Sequence, residues 1–487
     1  MGACRVPSER VCATRVRLEP PGCAPVLSAA AWAWQQFAHV DLGDQRRTKR
    51  ALAMAVKMVA HPESSLPTQM QSRSSLRGAY RLLNHPEVTM DALLEPHRRQ
   101  TLAQAAALPL VLMIEDTTEL DFTAHPATRN LGPIGDGNGR GLLLHSTLAV
   151  VPDGWGVLGL AHGQVVLRHA APSSRPHRSD SPEGQVWEAS AAQVGRPPVG
   201  TTWVHVSDRG SDIFEYMLAC LDQGKHFVLR AFHNRRLALA PYAGQALQEQ
   251  AWYLLDAARS LPAQPDSGSV VDVAARDGRP ARHAHVVLAW APVRIAPPVQ
   301  APPAVRRRGP LSAWVLRVWE PAPPAGVEAV EWILLSSLAI TTIAEAQRAA
   351  DWYSCRWLVE DYHQCLKTGC QVEAVQFDDG EDVRRLLGFA IPIAVRLLQL
   401  RQTARQTPSV PAEAVVEPLL VEVLARCQQQ DARAYTSTDF WQAVARLGGH
   451  QGRKSDGPPG WRTLWRGWRY LSDLADGARL FAHDAYP

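Results

Sequence analysis

In the stretch "DWYSCRWLVEDYHQCLKTG", Asp351 to Gly369, an acid stands among cations and a phenol at helical spacing. Tyr353, Arg356, Glu360 and Lys367 follow the pattern i, i+3, i+7, i+14, which a helix turning about 100° per residue gathers into an arc of roughly 60°. Leu358, Val359, Tyr362 and Leu366 form an apolar stripe on the opposite side. A helix of this kind packs its back into a core and offers Glu360 between Arg356 and Lys367. Alone, the stripe is also compatible with a solvated face carrying an Arg–Glu pair at i, i+4.

Two further acids strengthen the chemical reading. Asp116 in "IEDTTEL" and Asp208 in "VSDRGSD" each stand near the carboxyl end of an apolar, strand-like run. Ligands of α/β sheets collect at that end. Three carboxylates without a competing Cys or His cluster suit hard cations such as Mg²⁺ or Mn²⁺. Two such ions about 3.5–4 Å apart can activate an attacking oxygen and stabilise a leaving one in phosphoryl transfer. Glu115, Glu119, Asp121 and Asp212 compete for the same role. A paired-carboxylate glycosidase would leave the basic stripe without a purpose.

These residues need a scaffold. Residues 1–27 have no periodicity and read as a disordered tail. Helical patterns fill 28–105, and the helix opening near Asp44 carries Arg46, Arg47, Lys49 and Arg50. Cations are unfavourable at that end of a helix unless anions face them. The runs "PLVLMIEDTTEL", "RGLLLHSTLAVV" and "WGVLGLAHGQVVLR" read as strands, and residues 170–198 as loop. A strand ending at Asp208, the helix "IFEYMLACLDQG" and the strand "KHFVLRAF" follow. The order β-β-β-(α)-β-α-β predicts an α/β core with a mixed sheet. It spans about 106–395 and is interrupted by a β-subdomain over about 232–330. After "VEWILLSSL" one long helix should carry the opening stretch, and residues 396–487 should be helical.

Composition narrows the partners. The 487 residues carry a net charge of +4 and a pI near 8.6, compatible with a polyanionic partner. Lysine occurs only at 49, 57, 225, 367 and 454, so Lys367 departs from the chain's preference for arginine. The eight cysteines show no CxxC pairs, although Cys365 and Cys370 lie near His363; incidental thiols are the simpler reading than zinc. No run approaches the roughly 20 apolar residues of a membrane span and no signal-peptide core is present, so a cytoplasmic protein with no membrane partner is expected.

Taken in order, "LGDQRRTKRALAMA", "RGAYRLLNHPEV", "IEDTTEL", "HVSDRGSDIFEYM", "EWILLSS", "YSCRWLVEDYHQCLKTG", "VRLLQLRQ" and "ARLGGH" resemble bacterial insertion-sequence transposases of the cut-and-paste type. These include the kind carried by the kanamycin-resistance composite transposon, and have a DDE triad on a ribonuclease-H-like fold with a Y-x2-R-x3-E-x6-K signature. The resemblance runs from about residue 28 to 485. It implies that Asp116, Asp208 and Glu360 hold two Mg²⁺ or Mn²⁺ ions per active site, and that Tyr353, Arg356 and Lys367 contact DNA phosphates. It implies that Trp332 stacks near a flipped base, that Arg230 touches DNA, and that Arg46, Arg47 and Arg50 belong to a DNA end-binding domain. Double-stranded DNA at transposon ends, target DNA and a second copy of the chain are the partners implied, with the C-terminal helices dimerising on the DNA. One departure stands out: Gln364 replaces a family lysine between Glu360 and Lys367. A metal-dependent nuclease without strand transfer, or a domesticated non-catalytic DNA-binding protein, are the alternative functions.

The C-terminal segment "WRTLWRGWRYLSDL" adds a physical hint of association. Trp461, Trp465 and Trp468 recur at i, i+4, i+7 beside Leu464, Leu471 and Tyr470, an aromatic face wide enough to seek a partner. Packing on its own subunit is the alternative.

Overall fold

The computed structural model describes residues 29–168, 182–238, 253–273, 281–406, 410–453 and 459–483; the tail expected over 1–27 lies outside them. Among the described residues ten strands form one sheet: β1 (Leu110–Asp121), β2 (Gly132–Ile134), β3 (Gly139–Val151), β4 (Gly156–Val166), β5 (Thr202–Ser207), β6 (His226–Arg230), β7 (Ser269–Val273), β8 (Arg282–Ile295), β9 (Leu311–Trp319) and β10 (Glu331–Ser336). β1 is central. It pairs antiparallel with β3 and parallel with β5, β3 takes β4 on its far side, and β5 takes β6 in parallel. The order β4-β3-β1-β5-β6 is consistent with a ribonuclease-H-like core. Residues Val111 to Ile114 are fully buried, as a strand covered on both faces requires.

The segment expected as an inserted β-subdomain supplies β7, β8 and β9, with the short helices α8 (Leu254–Ser260) and α9 (Pro303–Arg307). These strands make no separate sheet. They join the main one through β10, which pairs antiparallel with both β6 and β9.

Helices surround the sheet. The N-terminal group is α1 (Ala29–Phe37), α2 (Gln45–Ala60), α3 (Leu66–Met70), α4 (Arg73–Leu83) and α5 (Met90–Ala106). Asp44, Ser72 and Thr89 accept backbone N–H groups at the starts of α2, α4 and α5, which fixes where each begins. Between β4 and β5 the chain forms α6 (Pro182–Val194), where a loop was expected, and α7 (Phe214–Asp222) follows β5. The C-terminal group is α13 (Ala412–Val415), α14 (Pro418–Cys427), α15 (Ser437–Leu447) and α16 (Trp461–His483).

The long helix expected across the opening stretch is broken. α10 (Ile343–Ser354) ends before Cys355, and α11 (Trp357–Gln364) starts beyond Arg356. The Leu358 and Val359 N–H groups donate three residues back, to Cys355 and Arg356 carbonyls at 3.0 and 3.1 Å, so the junction is overwound. Residues 365–369 are underwound in turn, with the Cys370 N–H reaching the Cys365 carbonyl at 2.9 Å. α12 (Gly380–Gln406) then runs unbroken past residue 395, where a domain boundary was expected. Its Leu387, Ile391 and Leu398 lie in the core beside the sheet, Phe389 and Ile393 in the N-terminal core, and Leu400 in the C-terminal core.

The aromatic face of α16 is largely covered within its own subunit. Trp468 stacks on Trp441 of α15 with ring centroids 5.4 Å apart, and Leu464 and Leu471 are buried in the same cluster. Gly467 lets the two helices touch: a Cβ there would lie 1.7 Å from the Val444 carbonyl oxygen. Trp465 and Trp468, both half-buried, therefore pack against the core of their own subunit. The side chain of Trp461 lies outside the described residues, and Tyr470 remains exposed.

Candidate active site

Sheet register sends Glu115 and Asp116 to opposite faces. Asp116 lies across from Ser146 of β3 and meets the side of the sheet covered by α11. Asp208 ends β5, the parallel neighbour of β1, and its Oδ1 accepts the Gly210 N–H at 2.7 Å. Glu360 comes from the first turn of α11. The guanidinium of Arg356 joins two of the three, donating to Asp116 Oδ2 at 3.1 Å and to Glu360 Oε1 at 2.6 Å. Asp116 and Glu360 are thus within one guanidinium of each other. Burial pushes the Asp116 carboxyl up to about 7, helped by the charges of Asp208 and Glu360 and opposed by Arg356.

A charge cluster of this kind asks for a cation. Among the described residues no three carboxylate, imidazole or thiol groups are drawn together tightly enough to hold a metal ion as they stand, and Arg356 is the cation between Asp116 and Glu360. The donor chemistry fits a hard divalent ion. All three groups offer oxygen; Asp116 lies within β1, five residues short of the strand end expected for it, Asp208 follows the end of the neighbouring β5, and the charges of Asp208 and Glu360 oppose the ionisation of Asp116.

The competing acids are engaged elsewhere. Glu115 is fully buried on the far face, where Tyr216 of α7, Thr147 of β3 and Ser190 of α6 donate hydrogen bonds to it, and His205 Nδ1 lies 3.1 Å away. Burial acts to raise its carboxyl, but His205, His145 and the Tyr216 hydroxyl together outweigh burial and hold it down at about 2. Asp212 accepts the Phe232 and His233 N–H groups, both at 2.8 Å, and the Arg235 side chain at 2.7 Å. Glu119 accepts the Gly135 N–H, and Asp121 the Thr123 N–H.

The other expected residues divide. Tyr353 is only 5% exposed and lies under Trp332, with ring centroids 5.4 Å apart. Its ring is thus held at the core edge against Trp332. Trp332 is half-buried and packs on the core edge. Lys367 stands on the underwound turn, 3.4 Å from Glu373, and makes no ion pair with the triad. Arg230, at the end of β6, donates to the Glu331 carbonyl at 2.9 Å. On α2, Arg46 and Arg50 are exposed, and Arg50 lies over Gly78 of α4; Arg47 is instead tied to the His85 ring at 2.9 Å.

Two features were missed in the sequence. Arg73, Arg77 and Arg81 recur at i, i+4, i+8 and are all exposed on α4, which packs beside α2 and widens its basic surface. Their spacing was the available signal. Trp357 is 48% exposed with Arg356 over its ring at 5.1 Å, a base-sized apolar surface next to the carboxylates.

Comparison with known proteins agrees with this layout at both ends. Residues 29–88 match the family model described as "Transposase DNA-binding", and residues 392–485 match the one described as "Transposase Tn5 dimerisation domain". The first covers α1 to α4 with their arginines, and the second runs from within α12 through α16. The two matches support a Tn5-like transposase family, and DNA and a second copy of the chain are its partners. Among the described residues no helix is long and apolar enough to cross a membrane.

Proposed function

We propose that the chain is a DDE transposase that performs metal-dependent cut-and-paste transposition in the bacterial cytoplasm. The observation that carries this reading is the meeting of Asp116, from a central strand, with Glu360, from a distant helix, through Arg356, while Asp208 ends the adjacent strand. Asp116, Asp208 and Glu360 would hold two Mg²⁺ or Mn²⁺ ions. The chemistry supplied by such ions when bound is activation of the attacking oxygen and neutralisation of charge on the leaving one.

The protein's own groups do the rest. The exposed arginines of α2 and α4 bind the transposon end through its phosphates and set its position. Arg356 and Lys367 line the backbone near the scissile phosphate. Water attacks that phosphate and releases a 3′-hydroxyl. By the family resemblance, that hydroxyl next attacks the opposite strand to form a hairpin, which water reopens before the 3′-end joins target DNA. Trp332, and Trp357 beside Arg356, offer ring faces to a base displaced by the hairpin.

The test is cleavage of DNA bearing the inverted repeats that flank the gene. Wild-type protein should nick, form hairpins and yield joined products in Mg²⁺. Glu360→Gln should bind the same DNA within about threefold, yet cut at least a hundredfold more slowly, because a neutral amide is a poor ligand for a hard ion. Cutting at the wild-type rate would refute the triad. Cutting without any joined product would identify a nuclease.

A further inference from the structure

Building on that reading of the triad, we infer that Arg356 is an internal counter-ion that keeps the carboxylate site closed until DNA draws it away. End DNA and the divalent ion then bind cooperatively. The guanidinium does not grip one carboxylate with both nitrogens. It spends one terminal nitrogen on Asp116 at 3.1 Å and the other on Glu360 at 2.6 Å, occupying the gap an ion would need. Its side chain is 11% exposed, so this is no loose rim charge whose pairing water would erase. Guanidinium and dication cannot share the same oxygens, since each is drawn to them by the same charge and repelled by the other. An ion entering the metal-free, DNA-free protein must first break both pairs.

The local backbone gives Arg356 somewhere to go. It stands at the overwound junction between α10 and α11, outside the regular turns of either helix. The ring of Tyr353 lies 6.0 Å and that of Trp357 5.1 Å from its guanidinium carbon, forming an aromatic slot open to solvent on the Trp357 side. A guanidinium turning within that slot keeps an aromatic face against it while exchanging carboxylates for a phosphate, which its planar fork matches bidentately. Once it turns, two carboxylates lose their cation at the moment when DNA is in place. Coupling of this kind is reciprocal: DNA raises the affinity for the ion by the same factor as the ion raises the affinity for DNA. Metal held only weakly without DNA also limits idle chemistry on free water.

The experiment measures Mn²⁺ binding by calorimetry on full-length protein. Without DNA, Arg356→Gln should bind Mn²⁺ about tenfold more tightly than wild type, the loss of one charge-assisted pair. Arg356→Lys, able to reach only one carboxylate, should fall between. Adding duplex with the gene's flanking inverted repeats should tighten Mn²⁺ binding to wild type at least about fivefold and leave Arg356→Gln nearly unchanged. Inorganic phosphate at millimolar concentration should not reproduce the gain; if it does, the release belongs to any phosphate and the role given to DNA is wrong. Arg356→Gln and Arg356→Lys both binding Mn²⁺ no more tightly than wild type overturns the inference. Asp116→Asn separates the two levels: if it leaves Mn²⁺ binding intact, the triad itself is misassigned. If it abolishes binding while both Arg356 variants behave as wild type, only the counter-ion role falls.

Discussion

Lowering the pH from 8 to 6 should weaken Mn²⁺ binding about tenfold. The cause is Asp116, whose carboxyl is pushed up to about 7, first by burial and then by Asp208 and Glu360. One unit above that value about nine-tenths of the carboxyl is ionised, and one unit below it about one-tenth, while only the ionised form is a ligand. An ordinary aspartate, with its pKa near 3.9, would leave binding flat over the same range. Calorimetry at pH 6, 7 and 8 in two buffers of different ionisation enthalpy reads both affinity and proton release. Close to one proton should leave per ion at pH 6 and almost none at pH 8. The same shift has a stability consequence whose sign is opposite to that of a salt-bridged acid. Because the folded pKa is raised, the contribution is fully present below about 4 and is lost as pH rises through about 7. Its full size is on the order of 4 kcal/mol, so metal-free Asp116→Asn should be more stable than wild type at pH 8 and no more stable at pH 4. Metal affinity that changes less than twofold across the range, with no proton released, would refute the reasoning.

Other outcomes follow from the same geometry. Lys367→Ala should weaken binding to all duplexes alike and lower the slope of log K against log salt by about one; an unchanged slope would mean that its pairing with Glu373 persists on DNA. His97 bridges Gln36 at 2.7 Å and the Leu160 N–H at 3.0 Å, and burial pulls its pKa from 6.5 down to about 4. A depressed histidine contributes stability above 6.5 that is lost as pH falls towards 4, about 2 kcal/mol between pH 7 and 5. Urea unfolding of His97→Gln should show that much less acid sensitivity than wild type, and equal sensitivity would exclude His97 as the source. Gly467→Ala should cost about 1–3 kcal/mol by forcing α15 and α16 apart, seen as a lower melting temperature together with loss of the dimer on DNA; an unaltered melting temperature would show that the crossing relaxes freely.

Much of the core was readable because its strands are apolar on both faces. "PLVLMIEDTTEL" reads as a strand and is the central one, but it continues through Asp121, so Asp116 lies within it and not at the end where the sequence placed it. The residues that position that acid were less accessible. Alternation separates Glu115 from Asp116, but telling which of them faces Arg356 requires knowing that His205, Tyr216, Thr147 and Ser190 surround the other. α6 was hidden because "PEGQVWEASAAQV" follows a polar stretch and has weak amphipathic contrast. The break at Cys355 and Arg356 leaves no trace in periodicity, since both residues keep helical dihedrals and only the hydrogen bonds tighten. In α16 the spacing of the tryptophans showed a face needing cover. Nothing in that spacing could tell whether Trp441 of the same chain or another subunit would provide it.

The back-to-back acids of β1 also bear on errors of assembly. Sliding β1 by one residue against β3 and β5 would exchange the two carboxylates between faces. Glu115 would then meet Arg356 with a side chain one methylene too long. Asp116 would be confined among Tyr216, Ser190 and Thr147 one methylene too short to reach them all. Either misfit leaves buried donors without an acceptor. The far side of the sheet therefore works as a gauge of strand alignment, penalising a slipped β1 that would put the wrong carboxylate beside Arg356.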